Sequence, residues 1–367
     1  MGRLSRRLWI RAPAPRRALA AALLAALGAC GRVPLPAEAP ALEARLAARV
    51  RGWVEAGELA RPDGYVYAVE VGELLAWSAL AGDRPLYDRL RAEALRFVRD
   101  DPSDPYTQGF VAWRRRDGEA HDASGTTEAL RVAEGLWRGA AAFDLPADRA
   151  LSLLVLRGYA RHAAELHGTW LVRNYFNLGT RAFATNSFLV DYAPDFLMEV
   201  AAAEGDAELE ELAQRSYALL LLARAPTGLI RDAVQPELAT LTDAEHVVFS
   251  PNDVVQLANA GTAALMGARG RPEAAAGVLG FALARWPRID AAYFGRTGEA
   301  ALRRRPGLET WGILLRLALA LEDAPAFERL WPRAAGAVED FLKREREPRL
   351  YVAGELLLAL RAADPRR

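Results

Sequence analysis

The chain of 367 residues has one cysteine, Cys30, which excludes both a disulfide framework and a multi-cysteine metal cluster. Lysine is almost missing: Lys343 stands alone among 47 basic side chains, and the rest are arginine. Neither charge is in excess, with 47 basic and 47 acidic residues, which excludes a strongly basic nucleic-acid binder. No glycine-rich phosphate loop and no G-x-S-x-G elbow occur. Among only four histidines, His162 and His167 are spaced i, i+5, poorly for a shared metal on a helix, so no metal and no cofactor is expected. What the chain does have is apolar residues, at 52%, with 26% charged, enough for a sizeable core.

The two ends of the chain differ in charge. Residues 1–29 carry six arginines (Arg3, Arg6, Arg7, Arg11, Arg16 and Arg17) and no acid, followed by an apolar run from Ala18 to Leu27. The run is too short to span a bilayer as a stable helix and has the layout of a secretory signal. Leu27-Gly28-Ala29-Cys30 resembles a bacterial lipobox, whose cysteine is lipidated and becomes the mature N-terminus. This makes 1–29 a signal peptide, 30–40 a lipidated cysteine with a Pro/Ala tether, and 41–367 a single domain. The expected location is the bacterial envelope, with the membrane held through lipid on Cys30. Beyond residue 29 the chain keeps 41 basic and 47 acidic side chains, a net charge of −6, which suits neutral or weakly charged partners.

From Ala41 onward apolar residues recur at three and four spacing in segments rich in Ala, Leu, Glu and Arg. The pattern predicts helices near 41–58, 67–81, 84–100, 126–142, 147–166, 186–204, 207–223, 252–267, 271–286, 309–322, 324–341 and 349–363. No alternating β-rich run competes; Val247-Val248-Phe249 is the nearest and is short. Tight turns follow the even-numbered helices, and loops precede them, the longest being 101–125, 167–185, 224–251 and 287–308. Antiparallel packing then places all long loops on one face. The even helices carry few charges, as in 72–80 and 311–319, whereas the odd ones alternate charge with Leu and Ala. The expected fold is all-α: an (α/α)6 toroid of six inner and six outer helices, with function on the long-loop face.

That face collects acids and aromatics. Glu70 and Glu73 open the second helix, Asp122 and Glu128 flank the start of the fourth, and Asp191 and Asp195 lie in the sixth. Asp253 opens the eighth and Glu309 the tenth. Tyr106, Trp113, Tyr175, Phe176, Tyr293 and Trp311 accompany them. Separated carboxyls suit glycoside hydrolysis, in which one acid protonates the leaving oxygen while a second attacks or activates water. Aromatic faces stack on the apolar faces of sugars. The same residues have ordinary uses: Asp122, Ser124 and Asp253 stand where N-caps stand, and Glu128 where a capping box places its acid.

Four stretches, in order, resemble the six-hairpin glycosidases and most closely glycoside hydrolase family 8. Val69-Glu70-Val71-Gly72-Glu73 with Ala81-Gly82-Asp83-Arg84 is similar to the family's Ser-Glu-Gly-Gln-Gly-Tyr-Gly-Met segment and its downstream Asp-Arg. Asp122-Ala123-Ser124-Gly125-Thr126-Thr127 is similar to its Ala-Ser/Thr-Asp-Ala-Asp segment. Asn174-Tyr175-Phe176 with Arg181-Ala182-Phe183 is similar to Pro-Ser-Tyr-Phe with Arg-Ala-Phe. Pro226-Thr227-Gly228-Leu229 with Phe249-Ser250-Pro251-Asn252-Asp253 is similar to Pro-Thr-Gly-Leu with Tyr-Asp-Ala-x-Arg. The resemblance implies an inverting hydrolase of β-1,4-linked glycans. It implies Glu70 as acid, Asp253 as base and Asp122 as assisting acid; the position of Glu73, Glu128 and the aromatics on the long-loop face makes them the expected substrate-binding residues. The chain departs from the family where Gly125 replaces the motif Asp and Gln256 the Arg; Glu70 matches only with a one-residue shift.

The main expectation is therefore a lipid-anchored glycoside hydrolase acting on a β-linked polysaccharide or oligosaccharide. A lyase on the same toroid would use Tyr65, Tyr67 or His121 as base. The alternatives are a polysaccharide-binding or exopolysaccharide-secretion lipoprotein that keeps only the cleft, and an envelope scaffold that binds proteins through helical faces.

Overall fold

The computed structural model describes residues 33, 36–236, 253–344 and 347–363. Cys30, the signal segment, the C-terminal part of the 224–251 loop and Val247-Val248-Phe249 lie outside the described residues. From residue 36 the described chain forms one compact unit.

Twelve α-helices are described, one for each helix that the sequence predicts. They are α1 (Ala39–Ala56), α2 (Ala68–Ala81), α3 (Arg84–Leu95), α4 (Thr126–Phe143), α5 (Pro146–Ala160) and α6 (Pro194–Glu204). The second half holds α7 (Ala207–Leu222), α8 (Leu257–Met266), α9 (Pro272–Ala284), α10 (Leu308–Ala320), α11 (Ala324–Arg344) and α12 (Leu350–Ala362). The short turns have local chemistry. Gly57, Gly82 and Gly205 end α1, α2 and α6 at φ of 74°, 71° and 68°, a conformation that glycine adopts without strain. Asp83 and Asp206 then cap the next helix by accepting backbone N–H bonds from Leu86 and from Glu208 and Leu209.

The even-numbered helices form the inner ring. In α2 every residue from Ala68 to Ala79 except Val69 is buried. The outer α11 instead buries Phe327, Leu330, Trp331, Ala334, Ala337, Val338 and Phe341, one stripe at three and four spacing. Contacts run round the ring. Gly72 lets α2 meet the α4 backbone so closely that an added Cβ would lie 2.6 Å from the carbonyl carbon of Arg131. Arg138 of α4 bonds Glu199 of α6 at 2.9 Å, and Asp195 of α6 accepts the N–H of Arg269, just beyond α8, at 2.8 Å. Gly261 of α8 lies under Ile313 of α10. Arg316 of α10 bonds Glu355 of α12 at 2.8 Å, and Gly354 brings α12 back against Glu73 of α2.

The loop face differs from the sequence expectation. Among the described residues it carries twelve short strands, paired into five small antiparallel sheets, where no strand is expected. Helix α5 stops at Ala160, and 163–166 pairs with 169–172 across a turn with both His167 and Gly168 at positive φ. The segment 186–193 is not the first half of α6. Ser187–Phe188 pairs with Ala233–Val234, and Leu189–Asp191 makes one 3-10 turn before Pro194 starts the helix. Helix α8 likewise begins five residues later than expected, after a strand at Val254–Gln256 that pairs with Ala292–Phe294.

Candidate active site

One three-stranded sheet forms a wall of a cleft above α4. Ala123–Gly125 pairs with Tyr175–Asn177, which in turn pairs with Ala182–Phe183. The cleft has a volume of about 530 Å³ and is lined by Trp113, Asp122, Ser124, Thr127, Glu128 and Tyr175, among others. Four candidates from the sequence thus meet at one place: Trp113, Asp122, Glu128 and Tyr175.

Glu128 is the third residue of α4. Its carboxyl folds back over the helix start into space that any side chain at 125 would occupy. A Cβ added to Gly125 would lie 1.9 Å from Glu128 Oε2. Glycine at the position of the family's motif Asp is therefore what admits this carboxyl. Burial, reinforced by the neighbouring Asp191, pushes the Glu128 pKa up to about 7; its own backbone N–H, Arg131 and Arg61 oppose the rise without cancelling it. Asp191 is fully buried and also reaches about 7, through burial. Its Oδ1 accepts the Thr127 hydroxyl and its Oδ2 the Phe188 N–H at 2.9 Å.

Asp122 is placed oppositely. It is exposed and accepts bonds from Trp113 Nε1 at 2.7 Å, Arg114 Nη2 at 3.2 Å and the Ala123 N–H at 2.8 Å. Partial burial works against its ionisation, but these bonds outweigh it and hold its pKa below the ordinary value. One cleft therefore holds a carboxyl that keeps its proton near neutrality and another that stays ionised.

The other candidates are not among the residues that line this cleft. Glu70 is 2% exposed, pairs with Arg61 Nε at 3.0 Å and accepts the Tyr351 N–H at 3.2 Å. Burial raises its pKa against the pull of Arg61. Asp253 sits at φ 53° ahead of the 254–256 strand. It accepts the Arg296 N–H at 2.9 Å, faces Arg231 at 3.7 Å, and its backbone carbonyl accepts the Gly295 N–H. Glu70 and Asp253 thus engage two different sets of partners. Glu73, expected at the substrate, is sealed in the core 3.5 Å from Arg131 Nε, and burial followed by the charge of Glu355 pushes its pKa well up. It lies beneath the loop face because its helix position turns it toward α12.

The aromatics also separate. Phe176 is fully buried as the hub of a cluster, 5.3 Å from Phe110, 4.8 Å from Phe183 and 5.7 Å from Tyr106, which is itself 49% exposed. Tyr293 is buried beside Phe281 at 4.8 Å. Trp311 lines a different groove, next to Trp286. His162 is a core residue whose pKa burial lowers to about 4. Sequence reasoning passes over Asp232, which accepts the Gln256 N–H with both oxygens at 3.2 Å and is pushed by burial to about 7. It also passes over Arg61, whose only signal is its place nine residues before Glu70. No group of His, Cys, Asp and Glu among the described residues has a metal-binding arrangement.

No protein-family model and no curated protein sequence matches the chain. Solved structures do. A β-1,3-1,4-glucanase from Paenibacillus sp. X4 is 12% identical, with 91% of this chain and 95% of that one covered and a TM-score of 0.67. The endo-β-1,4-glucanase CMCax from Acetobacter xylinum is 13% identical over 88% and 97%, with a TM-score of 0.63. The endoglucanase Cel10, a family 8 glycosyl hydrolase from Klebsiella pneumoniae, is 15% identical over 80% and 98%, with a TM-score of 0.57. What this chain shares with these family 8 and related glycosidases is the (α/α)6 toroid, carried by a sequence that has diverged far from theirs.

Proposed function

We propose that the protein is a glycoside hydrolase of a β-linked polysaccharide, with Glu128 as general acid and Asp122 as general base. The observation that carries this reading is the opposite displacement of their two pKa values within one cleft. The likeness in fold to glucanases supports the substrate class.

Trp113 and Tyr175 supply flat faces for sugar rings, and Trp113 is itself held by its bond to Asp122. Protonated Glu128 gives its proton to the glycosidic oxygen as the C1–O bond breaks. A water attacks C1 from the other side and loses a proton to Asp122, which inverts the anomeric centre. Glu128 then ends ionised and Asp122 protonated, and exchange with solvent resets both. The test is reducing-end release from β-glucans, xylan and chitosan by the wild type, Glu128→Gln and Asp122→Asn, beside Glu70→Gln and Asp253→Asn. Loss in the first pair and retention in the second supports this assignment. The reverse pattern returns the chemistry to Glu70 and Asp253.

A second reading is a polysaccharide-binding protein without hydrolysis. The ion pair that closes Glu70 and the replacement of the family motif by Gly125 favour it. Binding by wild type with no release from any substrate would select it. We also propose that lipid on Cys30 tethers the domain to an envelope membrane. Incorporation of labelled fatty acid that Cys30→Ala abolishes is the expected result.

A further inference from the structure

A second concavity of about 600 Å³ lies between the 287–308 loop and α11, and its lining differs in kind from that of the cleft. Arg288, Arg303, Arg305 and Arg333 line it, against Asp290 and Asp340. None of these four guanidinium groups has an ion-pair or hydrogen-bond partner among the described residues. Asp340, by contrast, already faces Arg344 at 3.5 Å. Arg303, Arg304 and Arg305 form an exposed run in a chain whose residues after 29 carry a net charge of −6. The groove is therefore a local reversal of the molecule's charge, and a concave one, where field is focused.

Its wall also contains an aromatic. Trp311 lines the groove with Trp286 behind it, the rings 6.4 Å apart at 84°. The guanidinium of Arg333 lies 5.6 Å from one ring centroid and 5.9 Å from the other. That arrangement holds Arg333 beside the indoles, where it can also meet a ligand. Arginine forks match carboxylates in bidentate geometry, and an indole face matches the C–H face of a sugar. Both indoles are half-buried within the wall, so they are not placed to insert into a bilayer.

We propose that this groove binds a carboxylate-bearing glycan, such as a polymer of uronic acid, at a site separate from the cleft. The inference rests on the polysaccharide reading above but not on hydrolysis. The guanidiniums of Arg303, Arg305 and Arg333 hold the carboxylates and Trp311 supports a ring. Such a site keeps an acidic polymer on the molecule while the cleft works on it or releases it.

Calorimetric titration with hexagalacturonate and with neutral cellohexaose tests this at low salt and at 0.15 M. The acidic oligomer should bind the wild type and Glu128→Gln alike. Its affinity should fall at least tenfold in the variant combining Arg303→Gln, Arg305→Gln and Arg333→Gln, and also at higher salt, where exposed charge is screened. Trp311→Ala should weaken binding several-fold while keeping the salt dependence. The Arg303→Gln/Arg305→Gln pair, on an exposed loop, serves where the triple variant has an altered melting curve. Unchanged binding in the arginine variants overturns the proposal, as does equal affinity of the groove for cellohexaose, poly-glutamate or vesicles with anionic lipid. If Glu128→Gln keeps full hydrolytic activity, the acid assignment falls while the groove result stands unaffected.

Discussion

Glu70 and Glu128 occupy equivalent places, in the first turns of neighbouring inner helices, yet their surroundings give them different capacities. Glu70 is closed by an ion pair to Arg61 and by the Tyr351 N–H from the far end of the chain. Glu128 borders an open cleft, has Asp191 rather than a bonded cation as its strongest charged neighbour, and rises to about 7. The lesson is that a carboxyl at an inner-helix start is not thereby an acid catalyst. What decides is whether a cation neutralises it or a second carboxyl opposes its ionisation.

The largest test of this contrast is activity. Glu128→Gln should lower kcat by 10²–10⁴, the range for removal of a general acid, while Glu70→Gln changes it by only a few-fold. The wild-type rate should fall above about pH 7, as Glu128 loses its proton, and fall again at low pH as Asp122 gains one. A pH profile that lacks the upper limb removes Glu128 from the acid role.

Next in size is stability at Asp191. Its pKa rises from 3.8 to about 7 on folding, so the stability linked to its proton is full below the unfolded value and lost as pH rises through the folded one. A shift of that size corresponds to roughly 4 kcal/mol between pH 4 and pH 8. Asp191→Asn should remove that part of the pH dependence, read as the difference between denaturant midpoints of wild type and variant. It should also lower the upper limb of the activity profile, because the charge that opposes Glu128 ionisation is gone. A variant whose stability follows the wild type across this range contradicts the neutral state of Asp191.

Smaller again is the effect of Gly125→Ala. The backbone there is extended, at φ −125°, so alanine brings no strain, but its Cβ takes the space of Glu128 Oε2. The flexible carboxyl moves aside, and we expect about a tenfold loss of kcat with a melting temperature within a few degrees of wild type. Unaltered turnover would show that the folded-back position is not the working one.

The contrast also shows what the sequence could tell. The twelve helices are legible because Ala- and Leu-rich periodicity is local, and the inner-outer alternation follows from charge. The segment 186–193 is not, because Asn186 to Ala193 has helix-compatible spacing but is drawn into pairing with Ala233–Val234, more than 40 residues away. The hairpin across His167-Gly168 is not legible either, because the helical spacing of α5 runs on into 163–166, which pairs instead with 169–172. At the site, the acids, Trp113 and Tyr175 were visible as types. Their separation into cleft and core was not, since the Tyr351 contact that closes Glu70 spans 281 positions.

The finest test exchanges the surroundings of the two carboxyls. Arg61 is bonded to Glu70 and lowers its pKa, and its charge also lowers that of Glu128, as the last of the causes acting there. Arg61→Met removes both effects, together with the guanidinium that lies 3.9 Å from the centroid of the Tyr67 ring, and keeps an unbranched apolar stem. Both pKa values should rise, that of Glu70 more, so the upper limb of the activity profile moves up by a fraction of a pH unit. If Glu128 is the acid, the movement is this small one. If Glu70 is the acid, losing its bonded partner moves the limb much farther, and the size of the displacement identifies which of the two carboxyls holds the proton that matters.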